Sequence, residues 1–151
     1  MKLEFALELR ISLGARMHIN VADDYVRGAV LIESGSFSGP NGLSGTVVPA
    51  SGGDMPMVRA DGGGRFESQY LLRTDDGAVI LKRSAGVRHA PPEVVQKLLA
   101  GEQVDPHSYY MRMTPRFEAP AGPYDWLNRS IFIGVGRRNP TGSTFRFWKV
   151  V

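Results

Sequence analysis

The sequence predicts an all-β protein, a closed or nearly closed antiparallel β-barrel of about eight strands with one short helix. Three observations support this fold: strict alternation near the N-terminus, eight or nine short strand-like segments, and helical spacing in one segment alone. The 18 glycines and 10 prolines suit many strands joined by tight turns. The 151 residues are expected to form a single domain, 1–151.

The first strand is expected over residues 3–13, where apolar side chains occupy every second position. They are Leu3, Phe5, Leu7, Leu9, Ile11 and Leu13. Residues 14–26 show less pattern, and Asp23 with Asp24 indicates a turn. Residues 28–34 form the second predicted strand. The segment that follows, around Phe37, is rich in turn-forming residues.

In the middle of the chain, short strands are predicted over residues 43–49 and 55–60. Residues 65–74 alternate, with Phe66, Ser68, Tyr70 and Leu72 on one face. The sequence Asp-Asp-Gly at 75–77 predicts a hairpin turn, because glycine there accepts a positive φ. Residues 78–85 are the expected partner strand.

The one helix is predicted to start at the prolines at 91 and 92 and to end before Gly101, a left-handed cap. Strands follow over residues 108–118, 126–137 and 144–151. Strong alternation in residues 108–118 places Tyr110 and Arg112 on one face, and Trp126 and Asn128 share a face of the next strand. A barrel of about eight strands offers both a packed layer and a lumen for one small ligand. A flat sandwich is the alternative.

Composition narrows the classes of function. The chain has no cysteine, which excludes disulfides and thiolate chemistry and fits a reducing cytoplasm. Its net charge is +3, but the basic residues are scattered, which argues against a nucleic-acid surface. The three histidines show no ligand spacing, so neither a metal nor a cofactor is expected. No apolar run predicts a signal peptide or a membrane span, and homo-oligomerisation is left open.

Several short motifs occur in order along the chain. They are Gly35 to Pro40 (GSFSGP), Thr74 to Gly77 (TDDG), Arg88 to Glu93 (RHAPPE), Tyr109 to Arg112 (YYMR), Pro115 to Glu118 (PRFE) and Tyr124 to Asn128 (YDWLN). As an ordered set the chain resembles the bacterial and fungal domain-of-unknown-function family 3237. The resemblance implies a β-barrel related to allene oxide cyclase and dirigent proteins, which guide small hydrophobic or phenolic intermediates. It implies no catalytic residue.

Four residues are candidates for catalysis. His89 precedes the helix, whose positive end favours a neutral imidazole that could act as a base. Asp54 lies in a glycine-rich loop where a carboxylate could take a proton from carbon. Tyr110 and Arg112 would line the lumen if their face points inward, with Arg112 binding an anion. The alternatives are structural: a capping histidine, a turn aspartate and an arginine outside the barrel.

Five further residues are candidates for ligand binding. Tyr70 and Tyr124 could donate to an enolate or bind a phenol, and Glu118 could supply a carboxylate. Trp126 and Asn128 would add an aromatic and polar wall beside Arg112. A register error of one residue would move such a wall to the outside of the barrel.

These residues favour a cofactor-independent isomerase, cyclase or lyase acting on a small aromatic or oxygenated organic molecule in the lumen. One alternative is a non-catalytic, lipocalin-like binding protein. Another is a structural barrel whose lumen is packed shut by aromatic side chains, among them Phe37, Phe66, Trp126, Phe132 and Trp148.

Overall fold

The computed structural model describes residues 1–151, and almost all of its regular structure is β-sheet. There are ten strands: β1 (Leu3–Val21), β2 (Tyr25–Ser38), β3 (Ser44–Val47), β4 (Gly53–Asp54), β5 (Met57–Arg59), β6 (Gly64–Thr74), β7 (Val79–His89), β8 (Tyr110–Glu118), β9 (Phe132–Asn139) and β10 (Gly142–Val150). The single α-helix, α1, spans Pro92–Leu99, and short 3₁₀ helices span Pro106–Ser108 and Asp125–Arg129. No helix is both long and apolar enough to cross a bilayer.

The sheet closes on itself, as the sequence predicts. The strands pair in the order β1, β10, β9, β8, β7, β6, β3, β2, and β2 pairs again with β1. All pairings are antiparallel. The short strands β4 and β5 also bridge β2 and β6 beside β3. Closure satisfies the backbone groups that an open sheet edge would leave unpaired.

The predicted end of the first strand was wrong. β1 continues through residues 14–21 and pairs with β2 from Leu13↔Ile32 to Val21↔Tyr25. Residues 15–20 are exposed on both faces of this hairpin. With neither face buried, no alternation marks the strand, so the pattern could not reveal it. β2 likewise runs on to Ser38 and carries Phe37 into the core.

The interior divides into two halves along the barrel axis. In one, which we call the packed half, apolar side chains fill the lumen. They are Leu7, Leu9, Phe37, Leu72, Ile80, Phe117, Phe132 and Phe147. Three of the aromatic side chains expected to fill the barrel are buried: Phe37 and Phe132 in the packed half, and Phe66 in the other half. Trp126 packs against Phe132 with ring centroids 5.8 Å apart, whereas Trp148 lies outside, edge-on to Phe5 at 6.1 Å.

The strand expected from residue 126 begins only at Phe132, because Asp125–Arg129 forms a 3₁₀ turn. Phe132, Gly134 and Gly136 point inward, while Ile131 and Ile133 are exposed. An added Cβ at Gly134 would lie 2.5 Å from the Phe147 ring, so this face holds glycine where its neighbours leave no room.

Helix α1 lies at the other end of the barrel. Pro91 occupies its N-cap, and Gly101 follows it with a φ of 75°. Its buried residues Val95 and Leu98 join the core, and Leu99 borders the lumen. The helix therefore partly covers the half of the barrel that is not packed.

Candidate functional site

The second half of the lumen, which we call the open half, contains a cavity of about 70 Å³. Its apolar wall comes from several strands and includes Ile11, Val30, Ile32, Phe66, Met111, Met113 and Phe145. Its polar side chains are Arg16, Asp54, Ser68, Tyr70, Lys82, Arg88, Arg138 and Ser143, with Arg65 at the rim. Ligand pockets for drug-sized molecules are several times larger. The cavity therefore suits a small ligand.

Lys82 lies at the floor of the cavity and is 1% exposed. Its Nζ donates to the Tyr70 hydroxyl at 3.0 Å and to Ser68 Oγ at 3.1 Å. The same nitrogen stands 4.5 Å from the Tyr70 ring centre and 5.6 Å from that of Phe145. Burial lowers the pKa of Lys82 to about 7, against the attraction of Asp54, which raises it. The amine can therefore change protonation state near neutral pH.

Asp54 is held against the cavity by a two-residue strand between β2 and β6. It pairs with Val30 on one side and with Ser68 on the other. Two glycines permit this approach: an added Cβ at Gly52 would lie 1.9 Å from the Gln69 carbonyl oxygen, and one at Gly53 would lie 2.2 Å from that of Val30. Glycine at both positions thus brings the carboxyl into the barrel.

The Asp54 carboxyl is poorly satisfied. Its Oδ1 is buried without a hydrogen-bond partner. Burial raises its pKa to about 6, although Lys82, Arg138, Arg16 and Arg88 all act to lower it. Burial also raises the pKa of the Tyr70 hydroxyl, and the Asp54 charge adds to that rise. A carboxylate with one free oxygen and a pKa near neutrality is suited to accept a proton.

Three arginines border the cavity together, and we call them the arginine cluster: Arg16, Arg88 and Arg138. Burial is the main cause that lowers the pKa of Arg88 and Arg138, the latter to about 10, and the charge of Arg16 lowers both further. Arg138 donates to Ser143 Oγ at 3.2 Å, whereas Nε of Arg88 is buried without a partner. All three guanidinium groups stay charged at neutral pH.

Residues 1–150 of the 151 match a family described as protein of unknown function, DUF3237. The chain belongs to this family. A relative in Clostridium acetobutylicum, an UPF0311 protein, is 38% identical over 130 residues, which is 85% of this chain and 81% of the relative. An UPF0311 protein of Rhodopseudomonas palustris is 41% identical over 114 residues, 76% of this chain and 73% of the relative.

Solved structures of family-like proteins share the fold. A conserved protein of unknown function from Rhodopseudomonas palustris matches with a TM-score of 0.91 and 31% identity, covering 100% of this chain and 99% of that one. A β-barrel-like protein from Acinetobacter baumannii matches at 0.83 and 30%, covering 98% and 94%. A structure described as an enzyme from Penicillium herquei matches at 0.73 with 22% identity, covering 99% and 94%, and shows likeness of fold alone.

Of the nine residues singled out in the sequence, Asp54 and Tyr70 lie on the cavity. The expected wall of Tyr110 and Arg112 lies outside the barrel, because β8 turns Met111 and Met113 inward. Tyr110 is 52% exposed. The Arg112 guanidinium stacks over the Tyr110 ring at 4.8 Å and donates to the Met111 carbonyl at 3.0 Å, and it has no acid partner.

His89 also points outward, at the end of β7, where it borders a shallow surface pocket beside Tyr110. Glu118 is exposed and pairs with Arg83 at 3.3 Å. His89 and Glu118 therefore stand apart from the cavity, because each occupies the outward position of its strand.

Tyr124, Trp126 and Asn128 gather at the far end of the barrel. Asn128 accepts from the Ala119 N–H at 2.8 Å and donates to its carbonyl at 2.9 Å, a clamp that fixes the chain after β8. Tyr124 and Trp126 border a separate surface pocket with Asp76. These residues could not form the predicted wall, since the segment is a 3₁₀ turn instead of a strand.

Sequence reasoning missed Lys82, Ser68 and the arginine cluster as site residues. A signal for Lys82 was present: the turn at 75–77 fixes the β6–β7 register, which pairs Tyr70 with Lys82. Nothing comparable marked Arg16, which lies on the unpatterned hairpin. No three His, Cys, Asp or Glu side chains are grouped as a metal site would need.

Proposed function

We propose that the protein is a cofactor-independent enzyme, an isomerase, cyclase or lyase, that moves a proton on a small oxygenated organic molecule in the open half of the barrel. The observation that carries this proposal is the Asp54 carboxyl, buried on the cavity with one oxygen free. A free carboxylate oxygen in a confined site is suited to take a proton from carbon next to a carbonyl.

Lys82 and Tyr70 supply the complementary function. As the C–H bond breaks, its electron pair forms a C=C bond and the C=O π pair moves to the carbonyl oxygen, where a hydrogen-bond donor stabilises the developing charge. The Lys82 amine and the Tyr70 hydroxyl are hydrogen-bonded to each other at 3.0 Å and border the same cavity. The pKa of Asp54 is raised to about 6 and that of Lys82 is lowered to about 7, so both lie near neutral pH, where a general base and a general acid work best.

Exchange of carbon-bound protons tests the proposal. A panel of small ketones, including cyclic ketones, is incubated with the protein in D₂O, and loss of the α-proton signal is followed by NMR. Asp54→Asn should slow exchange by about 100-fold or more, the usual contribution of a general base. Asp61→Asn, in an exposed turn, is the matched control. Exchange that is absent in the wild-type protein, or unchanged in Asp54→Asn, would refute proton transfer by Asp54.

A binding protein without chemistry is the second candidate, and the arginine cluster favours it because three cations can hold an anion without any reaction. The Asp54→Asn variant distinguishes the two candidate functions. A carrier should keep its ligand-induced rise in melting temperature in this variant, and should show no proton exchange in the wild type. The packed-barrel alternative applies only to the packed half, because the open half contains the cavity.

A further inference from the structure

The three residues of the arginine cluster make no ion pair, in contrast to several other arginines of the protein. Five ion pairs occur in the protein, and they involve Arg10, Arg59, Arg83, Arg129 and Arg146. None of the cluster's three members has an acid within 4.0 Å. Arg88 and Arg138 are partly buried, and Nε of Arg88 has no partner at all. The guanidinium groups of Arg88 and Arg138 are thus partly withdrawn from water without an ion-pair partner, and the exposed Arg16 adds a third positive charge beside them.

The charge of the open half is therefore unbalanced. Three guanidinium groups face one carboxylate, Asp54, which leaves two positive charges even when the Lys82 amine is neutral. Charges removed from water are costly unless they are paired. The mutual repulsion also appears in the pKa of Arg88 and Arg138, which the charge of Arg16 lowers. A bound anion would relieve this repulsion.

The shape of the cavity limits what the anion can be. The guanidinium fork matches a carboxylate with two parallel hydrogen bonds. Beyond the cluster the wall is apolar, with Ile11, Ile32 and Met113 among its residues. The volume of about 70 Å³ leaves room for a small body only. A phosphate group would occupy more of that space than a planar carboxylate.

We propose that the open half binds a small keto acid, with its carboxylate among Arg16, Arg88 and Arg138 and its enolisable carbon toward Asp54. The position of the carbon rests on the proposed function, whereas the binding of the carboxylate does not. When the carbon loses its proton to Asp54, the C–H electron pair forms the C=C bond of the enolate and the C=O π pair moves to the ketone oxygen. Three guanidinium groups then face two negative charges on the ligand, so the same cations that bind the acid stabilise its enolate.

The test uses thermal shift and calorimetry with pyruvate and 2-oxobutyrate as probes, beside their neutral carboxamides and inorganic phosphate. The keto acids should raise the melting temperature, and the carboxamides should not. Arg138→Met should weaken keto-acid binding by about 10- to 100-fold, the usual effect of losing a hydrogen bond to a charged group. Arg137→Met, its exposed neighbour on β9, is the control and should bind as the wild type does.

The melting temperature without ligand distinguishes a binding role of Arg138 from a structural one. Because Arg138 is repelled by Arg16 and Arg88, Arg138→Met without ligand should melt no lower than the wild type, while losing the ligand-induced rise. Arg88→Met is the second variant, should Arg138→Met fail to fold. Carboxamides that bind as well as acids, inorganic phosphate that binds when no keto acid does, or unimpaired binding by both variants would overturn the proposal. Keto-acid binding without proton exchange would keep the carboxylate site and refute the enzyme.

Discussion

Replacing Lys82 with methionine tests the burial of its amine. The amine is 1% exposed, and burial lowers its pKa from 10.5 to about 7. Between these pH values the folded chain releases the Lys82 proton while the unfolded chain keeps it. The free energy of unfolding of the wild type must therefore rise with pH in this window, and below it the buried charge costs stability in full. Methionine carries no proton, so this contribution to the pH dependence disappears.

The magnitude follows from the two pKa values. At about 1.36 kcal/mol per unit, the contribution of Lys82 to the free energy of unfolding rises by about 2.5 kcal/mol from pH 7.5 to pH 9.5. The variant also leaves the Tyr70 hydroxyl and Ser68 Oγ without the amine, at about 1–3 kcal/mol each. At pH 7.5 these losses offset a gain of about 4 kcal/mol, so the two proteins should have similar stability there. At pH 9.5 the variant should be clearly the less stable.

Urea unfolding of both proteins at pH 7.5 and 9.5 measures this difference. The same pair in an Asp54→Asn background is the control, because it removes any change in Asp54 titration caused by the loss of Lys82. Parallel pH dependences of wild type and Lys82→Met, in both backgrounds, would mean that Lys82 titrates near its usual pKa. The buried amine could then not serve as the acid of the site.

Three further outcomes are expected. Arg112→Ala should change the free energy of unfolding by no more than about 0.5 kcal/mol and should leave ligand binding intact, as for other surface residues. Ligand binding that is tenfold weaker would contradict the position of Arg112 outside the barrel. Gly52→Ala should lower the free energy of unfolding in urea by about 2 kcal/mol and slow proton exchange more than tenfold, because its Cβ would lie 1.9 Å from the Gln69 carbonyl oxygen. Wild-type stability and exchange in this variant would show that the loop adapts freely. The rate of proton exchange should rise with pH through about 6, as Asp54 loses its proton, and should fall above about 7, as Lys82 loses its own. A constant rate from pH 5 to 9 would exclude both groups as the base and the acid of the reaction.

Sequence periodicity predicted the barrel well because most strands have one face in the core. The β6–β7 hairpin is the clearest example: alternation placed Phe66 and Tyr70 on one face, and Gly77, with a φ of 93°, formed the expected turn. Both signals are local, so they survive without knowledge of the partner strands.

Sequence periodicity is uninformative where an inward position holds glycine or a charged residue and an outward position holds an apolar one. On β9 the inward positions hold Gly134 and Gly136, and the apolar Ile133 faces outward, so hydrophobicity alone does not mark the inward face of this strand. The site was hidden for a related reason. Its charged residues, such as Lys82, occupy inward positions that pattern reasoning reserves for apolar side chains. Only pairing across strands, which brings Tyr70 opposite Lys82, reveals them.

The division of the lumen governs how molecules pass through it. The hydrogen-bonded ring closes the walls, and Phe117, Phe132 and Phe147 fill the far end, so the open half is closed at that end. In the enzyme that we propose, the product cannot leave through the packed half, so it has to be released from the open half before the next substrate binds there. Product and substrate should therefore compete for the free protein at every concentration. Of two molecules that must be present together, the one bound deeper has to enter first.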